Sequence, residues 1–590
     1  MNNKLLNLLH RGKYQSALDE LHSTNDPFDE DIETRCLEAF LYLRLGALTE
    51  SELTLKSAAA IDADNAHVLS IRALLLLKLG RDVKLALEFA KKAYLKLNDE
   101  QSELILAESE MANGLAEQAV KRVESLCKKK ASYADAFVLL ANMLKAYGRL
   151  DEALVPAQKA VQINPSLSEM WAIIAEYYSR HSNLEKVITS LEMAHKYDPD
   201  NPAYPILLGE FIRVSGDTPR AVQILQKVVS NIPEDPRQAV AAYVNLGAAL
   251  HEGGRSDDAV EMYQKALRLN ANMPQIENNI AKSYLEKEDN EEAKSHLRKA
   301  LQLDPDYYKA MNNLATVLAF EGDYENSFYY RHKSLEIITK RYPQDFLDPK
   351  KAPMPVSGGE ETILAMHAAL TELNVPFFLA FGTLLGLVRD GHLLPFDKDL
   401  DIGVSWDLPR GKLLNALGRY GFISNGGKEY SDDDPVWNYA VVYVKTGIAL
   451  DFFFFKHEGD KYITGIDSKP VNLKWVFPYF ELQQAHWQNR DWFVPSPPDV
   501  FFESVYGKDW KAPDPYFDTV ISGMNRTKES DNIALNSGYI KLYDQITRCE
   551  WKKAIGICKQ LRAIREDPFV EKMENWNLKR LRESQEEAHA

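Results

Sequence analysis

Through the first 340 residues, apolar positions recur at helical spacing, as at Ala136, Leu139, Leu140, Met143 and Leu144. The helical runs themselves recur. A small or compact residue stands at Ala17, Ser51, Ala86, Ala119, Ala153, Val187, Ala221, Ala259, Ala293 and Ser327, at intervals of 34, 35, 33, 34, 34, 34, 38, 34 and 34. A glycine precedes most of them by five or six positions: Gly12, Gly46, Gly80, Gly114, Gly148, Gly216, Gly254 and Gly322. Ser182 and Glu288 take that place in the other two units. Asn164-Pro165, Asp198-Pro199 and Asp304-Pro305 close units. The pattern predicts helix pairs. The glycine takes the left-handed turn past a helix end, the small residue lets the second helix approach the first, and the proline stops the unit.

Residues 1–340 therefore resemble a tetratricopeptide repeat array of about ten helix pairs. The resemblance implies an all-α superhelix with a concave groove that binds a partner protein or the acceptor of a reaction. The 38-residue interval places a four-residue insertion near Pro233–Gln238. Glu288 at the ninth turn departs from the pattern. Tyr177, Tyr178 and Tyr197 read as core aromatics rather than groove residues.

The periodicity stops after Lys340. Residues 342–356 hold four prolines, and 341–358 read as a linker. Beyond it, runs rich in aromatic and β-branched residues predict strands at 376–381, 400–404, 438–444 and 448–455, alternating with helices at 361–373 and 409–420. This is the pattern of an α+β domain over 359–525. Residues 526–590 form a C-terminal helical segment, with Tyr539–Arg565 amphipathic and read as a hairpin.

Composition narrows the partners. Lys and Arg number 70 against 86 Asp and Glu, a formal charge of −16, which excludes the basic footprint of a general nucleic-acid binder. Four cysteines, Cys36, Cys127, Cys549 and Cys558, are too scattered for a disulfide framework or a metal knuckle, so a reducing compartment is expected. The longest uncharged apolar run, Val375–Val388, is shorter than the ~18 to 20 residues of a spanning helix. The expectation is no transmembrane segment and a cytoplasmic location, with peripheral attachment at the inner membrane face left open.

The chemistry concentrates in 377–404, FFLAFGTLLGLVRDGHLLPFDKDLDIGV. Gly382-Thr383 follow a strand and open a helix-like run, where a glycine permits close backbone approach and a helix start favours phosphate. Asp397, Asp399 and Asp401 then surround a new strand. Asp399 and Asp401 share one face of it, because the side-chain period is two. Paired carboxylates on one face call for a cation, and oxygen ligands select Mg²⁺ or Mn²⁺. Asp451, in the apolar run 447–453, is costly to bury unless paired or metal-bound. Together, Asp399, Asp401 and Asp451 beside a Gly-Thr turn resemble the metal site of a polymerase-β-like nucleotidyltransferase fold. Gly386–Gly391 mimics half a phosphate-binding loop, but His392 stands where that motif needs Lys.

The same stretch is similar to the LicD/fukutin family of phosphotransferases, on Gly382, Thr383, Leu384, Leu385, Gly386, Val388, Arg389, Gly391, Pro395, Phe396, Asp399 and Asp401. Phe477-Pro478, Val494-Pro495, Tyr506-Gly507, Trp510 and Pro513 extend the likeness to about residue 515. The resemblance implies a CDP-linked donor that gives its alcohol-phosphate to a sugar hydroxyl of a glycan, in a setting such as lipopolysaccharide or capsule decoration. It implies Asp399, Asp401 and Asp451 as metal-holding catalytic residues, with Asp451 also orienting or deprotonating the acceptor. Gly382, Thr383, Arg389 and Lys398 would bind substrate. Asp397-Lys398-Asp399 is closer to the fukutin branch than to the consecutive aspartates common in LicD proteins, which leaves phosphocholine and a polyol phosphate both open. Two other readings remain: a glycosyltransferase with an Asp-x-Asp metal motif, and a non-catalytic repeat scaffold.

Overall fold

The computed structural model describes residues 14–24, 31–341, 356–394, 399–427, 429–467, 472–514 and 517–587. The chain divides into two compact units, Met1–Ala271 and Asn272–Ala590. Among the described residues no helix is long and apolar enough to cross a membrane.

The first unit is built of antiparallel helix pairs, from Ile32–Arg44 with Leu48–Ile61 to Pro236–Glu252 with Ser256–Leu269. At each turn one residue enters the left-handed region. Gly46, Gly80, Gly114, Gly148, Gly216 and Gly254 do so with φ between 61° and 94°, and Ser182 does so with φ 53°. Gly12 lies outside the described residues. The small residues are sealed between the paired helices: Ala86, Ala119, Ala153, Ala221 and Ala259 are fully buried. The four-residue insertion is absorbed by lengthening a helix. Pro236–Glu252 has 17 residues, against 13 in Ser168–Arg180, and starts on an Asp235 cap followed by Pro236. Tyr177 and Tyr178 pack edge to face at 5.2 Å, with Tyr177 stacked on His181.

The second unit opens with two more pairs, Pro274–Glu286 with Asn290–Leu303 and Tyr308–Phe320 with Tyr324–Arg341. Glu288 takes φ 57° and closes the same hydrogen bonds as the glycines do, so the departure at this turn is in residue type and not in geometry. The segment after residue 530 returns to this pattern. Helix Asp531–Thr547 is followed by Trp551–Ile564, with the break at Arg548–Glu550. Cys549 has φ 56°, its N–H reaches the Ile546 carbonyl at 3.1 Å, and Glu550 N–H reaches the Gln545 carbonyl at 2.9 Å. Gly322 and Asp323 make the matching bonds at 3.1 and 2.9 Å. Ala554, fully buried, follows Cys549 by five positions, as Ser327 follows Gly322. Phe328, Leu335 and Ile338 share one core with Leu535, Tyr539 and Leu542. The α+β domain is therefore inserted between two helix pairs of one kind, and Pro568–Glu587 follows the second of them.

The inserted domain has a seven-stranded sheet, ordered β1 (Phe377–Leu379), β2 (Asp399–Ser405), β5 (Ala449–Glu458), β4 (Asn438–Tyr443) and β3 (Phe422–Ser424). β6 (Lys461–Ile466) extends from β5, and β7 (Leu473–Pro478) from β6. β8 (Glu481–Trp487) and β9 (Arg490–Ser496) form a separate hairpin. Among the described strands only β2 and β5 run parallel, with Asp401 opposite Asp451; the other pairings are antiparallel. One face of this central pair carries Leu400, Ile402, Val404, Leu450, Phe452 and Phe454, all buried. The other carries Asp399, Asp401 and Gly403 beside Ala449, Asp451, Phe453 and Phe455. The absence of a side chain at Gly403 makes room for the Phe378 ring, which a Cβ would overlap.

Candidate active site

The carboxylate face changes character along its length. At one end Phe453 and Phe455 pack into a cluster with Phe381, Trp475, Phe477 and Phe501. At the other end stand Asp399, Asp401 and Asp451, each half-buried. Asp451 is one pleat from Phe453, so its carboxyl borders the aromatic wall. Burial there, and secondly the charge of Asp399, push its pKa up from 3.8 to about 6.

Asp401 is held from both sides of its backbone. The Gly382 N–H donates to its Oδ2 at 3.0 Å. Its own N–H donates to the Thr383 hydroxyl at 2.7 Å, and its carbonyl accepts from Ala380 N–H at 3.2 Å. Thr383 is buried. The short helix Phe381–Leu385 is thus bound to β2 through Asp401. The expectation that Gly382 and Thr383 face phosphate changes accordingly: the Gly382 N–H and the acceptor capacity of the Thr383 hydroxyl are directed at Asp401, which makes them positioning groups.

Phe381 makes this placement possible, and the sequence reading missed it. It is buried with φ 40°, a left-handed conformation that costs an L-residue roughly 1–2 kcal/mol. Its ring is wedged 4.8 Å from Phe453 and 5.5 Å from Trp475. The wedged ring holds the backbone in the turn that aims Gly382 N–H at β2. Nothing in the residue type signals this.

After the helix, Gly386–Asp390 forms a wider π turn that ends at Gly391, φ 78°. Gly386 has no room for a Cβ, because the His392 carbonyl would lie 2.7 Å away. Arg389 does not stand open to a ligand. It makes a two-pronged pair with Asp390, at 2.9 and 2.8 Å, which holds the Asp390 carboxyl below its usual range. Tyr506 lies within its electrostatic reach. His392 Nδ1 is 2.9 Å from the Leu393 carbonyl. Lys398, with Pro395, Phe396 and Asp397, lies outside the described residues. Asp432 bonds the backbone and side chain of Lys412, at 2.8 and 2.9 Å, so this acidic run caps a helix.

The donor set suits a hard divalent cation: three carboxylates on one face, with no thiolate or imidazole among them. Among the described residues, no group of three His, Cys, Asp or Glu is gathered closely enough to hold a metal as it stands.

Residues 374–496 match the LicD/FKTN/FKRP nucleotidyltransferase domain, and residues 240–273 and 278–307 match tetratricopeptide repeats. The chain carries a LicD-type domain. Ribitol-5-phosphate transferase FKTN of Macaca fascicularis and that of Homo sapiens are each 28% identical to it over 156 residues. The match takes in 26% of this chain and 33% of each relative, so it spans about a third of their length. A solved complex, the APC/C hetero-tetramer Cut9–Hcn1, aligns with a TM-score of 0.37 and 17% identity, over 52% of this chain and 59% of its own. The LicD match encloses Asp399, Asp401, Asp451, Gly382, Thr383 and Arg389. The likeness thus joins a LicD-type nucleotidyltransferase domain to tetratricopeptide repeats in one chain.

Proposed function

We propose that this chain transfers an alcohol-phosphate from a CDP-linked donor to a sugar hydroxyl of a glycan, with the repeats engaging the acceptor or a partner protein. The observation that carries the reading is the face shared by Asp399, Asp401 and Asp451, anchored at Asp401 by Gly382 and Thr383 inside the LicD-type domain. Ribitol phosphate is favoured as the transferred group, because the relatives are named ribitol-5-phosphate transferases.

The new bond joins the acceptor oxygen to the donor's distal phosphorus, and the bond from that phosphorus to CMP breaks. Asp399 and Asp401 are the residues that would hold Mg²⁺ or Mn²⁺, with Asp451 beside them. When bound, the cation neutralises the donor diphosphate. Asp401 is fixed by the Gly382 N–H on its Oδ2, which holds the carboxylate in place on the strand face. Asp451, opposite Asp401 on the same face, would complete this site and orient the acceptor hydroxyl or take its proton. The Arg389–Asp390 ion pair braces the turn that follows the short helix.

The test is CMP release from CDP-ribitol, CDP-glycerol and CDP-choline, with Mg²⁺ or Mn²⁺ and cell-envelope glycan as acceptor. Release from one donor, abolished in Asp399→Asn and Asp401→Asn, is expected. Unchanged rates in both variants, or release of UDP from a UDP-sugar instead, would sink the assignment.

A further inference from the structure

A cleft of about 440 Å³ opens where the last repeat helix before the insertion meets the helices that follow it. Its lining is Tyr324, Glu325, Phe328, Tyr329, His332, Asn532 and Arg565. Its size is that of a small-ligand site. Its walls are fixed in advance. His332 Nε2 lies 2.8 Å from the Tyr539 hydroxyl, which donates to Asp567 at 2.5 Å. Phe569 stacks on the His332 ring at 4.1 Å. The Arg565 guanidinium lies 4.9 Å over the Phe328 ring.

The chemistry of this lining selects its occupant. Glu325 and Arg565 offset each other, so the cleft carries no net charge to attract a phosphate or an acidic peptide. A purely apolar ligand would leave Asn532, Glu325 and Arg565 without partners for their lost water. Planar side chains that donate and accept hydrogen bonds, beside aromatic faces, suit a neutral polyhydroxyl ring. Tyr329 is 56% exposed, its ring set edge to face against Tyr330 at 5.2 Å. The cleft also lies against the catalytic domain: Tyr324 packs on its core, and Asn532 immediately precedes Ile533 and Ala534, which belong to that core.

We propose that this cleft binds a neutral sugar residue of the acceptor glycan, away from the residue that receives phosphate. The proposal rests on the transferase reading for the word acceptor, but not for the binding itself. Tyr329 stacks on the ring, and Asn532, Glu325 and Arg565 bond its hydroxyls.

The experiment uses the full chain and saturation-transfer NMR with short neutral oligosaccharides of hexose and N-acetylhexosamine. Saturation of sugar protons is expected for the native chain and for Asp401→Asn. It should be lost in Tyr329→Ala and in Asn532→Ala, both surface changes that leave thermal unfolding in place. In the transfer assay, Tyr329→Ala should raise KM for glycan roughly tenfold and leave kcat unchanged, the loss of about one good contact. Binding that survives in both cleft variants, or saturation of no neutral sugar, overturns the proposal. Sugar binding in a chain that releases no CMP from any donor overturns the transferase reading and leaves the cleft standing as a lectin site.

Discussion

Asp451→Asn tests the electrostatics of the carboxylate face without changing its shape. The folded-state pKa of Asp451 is raised from 3.8 to about 6, so the folded protein binds this proton more tightly than the unfolded chain does. Stability from this group is therefore complete below pH 3.8, falls as pH rises toward about 6, and is lost above that. A rise of this size corresponds to roughly 3 kcal/mol at pH 7, which the ionised carboxylate costs the metal-free fold. An amide carries no charge to desolvate and nothing for Asp399 to repel. In EDTA-treated protein, Asp451→Asn should stabilise the α+β domain by up to about 3 kcal/mol at pH 7 and by only about 0.5 kcal/mol near pH 4. Six of the nine tryptophans lie between Trp406 and Trp510, so urea unfolding followed by indole fluorescence reports mainly on this domain. The native protein should lose stability between pH 4 and pH 6 relative to the variant, and the difference should then level off. Added Mg²⁺ or Mn²⁺ should stabilise the native protein and leave the variant behind, since a ligand stabilises only the state that binds it. A variant that is less stable than the native chain at pH 7 without metal would refute this account of Asp451.

Other consequences are as direct. Thr383→Val leaves the Asp401 N–H buried without an acceptor and should cost about 1–3 kcal/mol in unfolding and most of the transfer rate, while Thr383→Ser should restore both. Gly403→Ala places a methyl into the Phe378 ring and should cost roughly 1–3 kcal/mol, recovered in part by Phe378→Leu on the same thermal scan. Ser182→Gly relieves a left-handed residue at a repeat turn and should stabilise the first unit by roughly 1 kcal/mol in helical circular dichroism.

The repeats were legible because their rule is local. A residue with positive φ, then a compact residue five or six positions later, recurs through the described units, and even Ser182 and Glu288 keep the spacing. The β2 and β5 strands were legible because Asp, flanked by apolar residues at period two, marks a face. The strands β3, β6, β7, β8 and β9 were not anticipated. Their sequences, such as Glu481–Trp487, are mixed in polarity and held in place by pairing with distant partners. The roles of Gly382 and Thr383 were also misdirected by local reasoning. A Gly-Thr turn at a helix start suggests phosphate, and only the tertiary contact with Asp401 shows where the N–H and hydroxyl go. The repeat character of the C-terminal hairpin escaped for a related reason: Cys549 fills the turn position and the neighbouring pair lies about 200 residues upstream, as the Arg331–Asn536 and His332–Tyr539 bonds record.

That separation bears on how the site is supported. Leaving the array at Arg341 and rejoining it at Asp531 ties both ends of the inserted domain to one hydrophobic core. Arg331, buried, donates to Asn312, Thr316 and Asn536, so the helix before the insertion and the helix after it share a hydrogen-bonded cation. Ile533 and Ala534 at the start of the returning helix belong to the domain's own core, together with the β2 and β5 residues that carry the aspartates. A carboxylate face that costs the fold energy, and a left-handed Phe381 that adds to that cost, need such a frame to persist. The helix pairs on either side of the insertion brace the inserted LicD-type domain as well as form the cleft, and disruption of Arg331 should therefore loosen β5 before it loosens the repeats upstream.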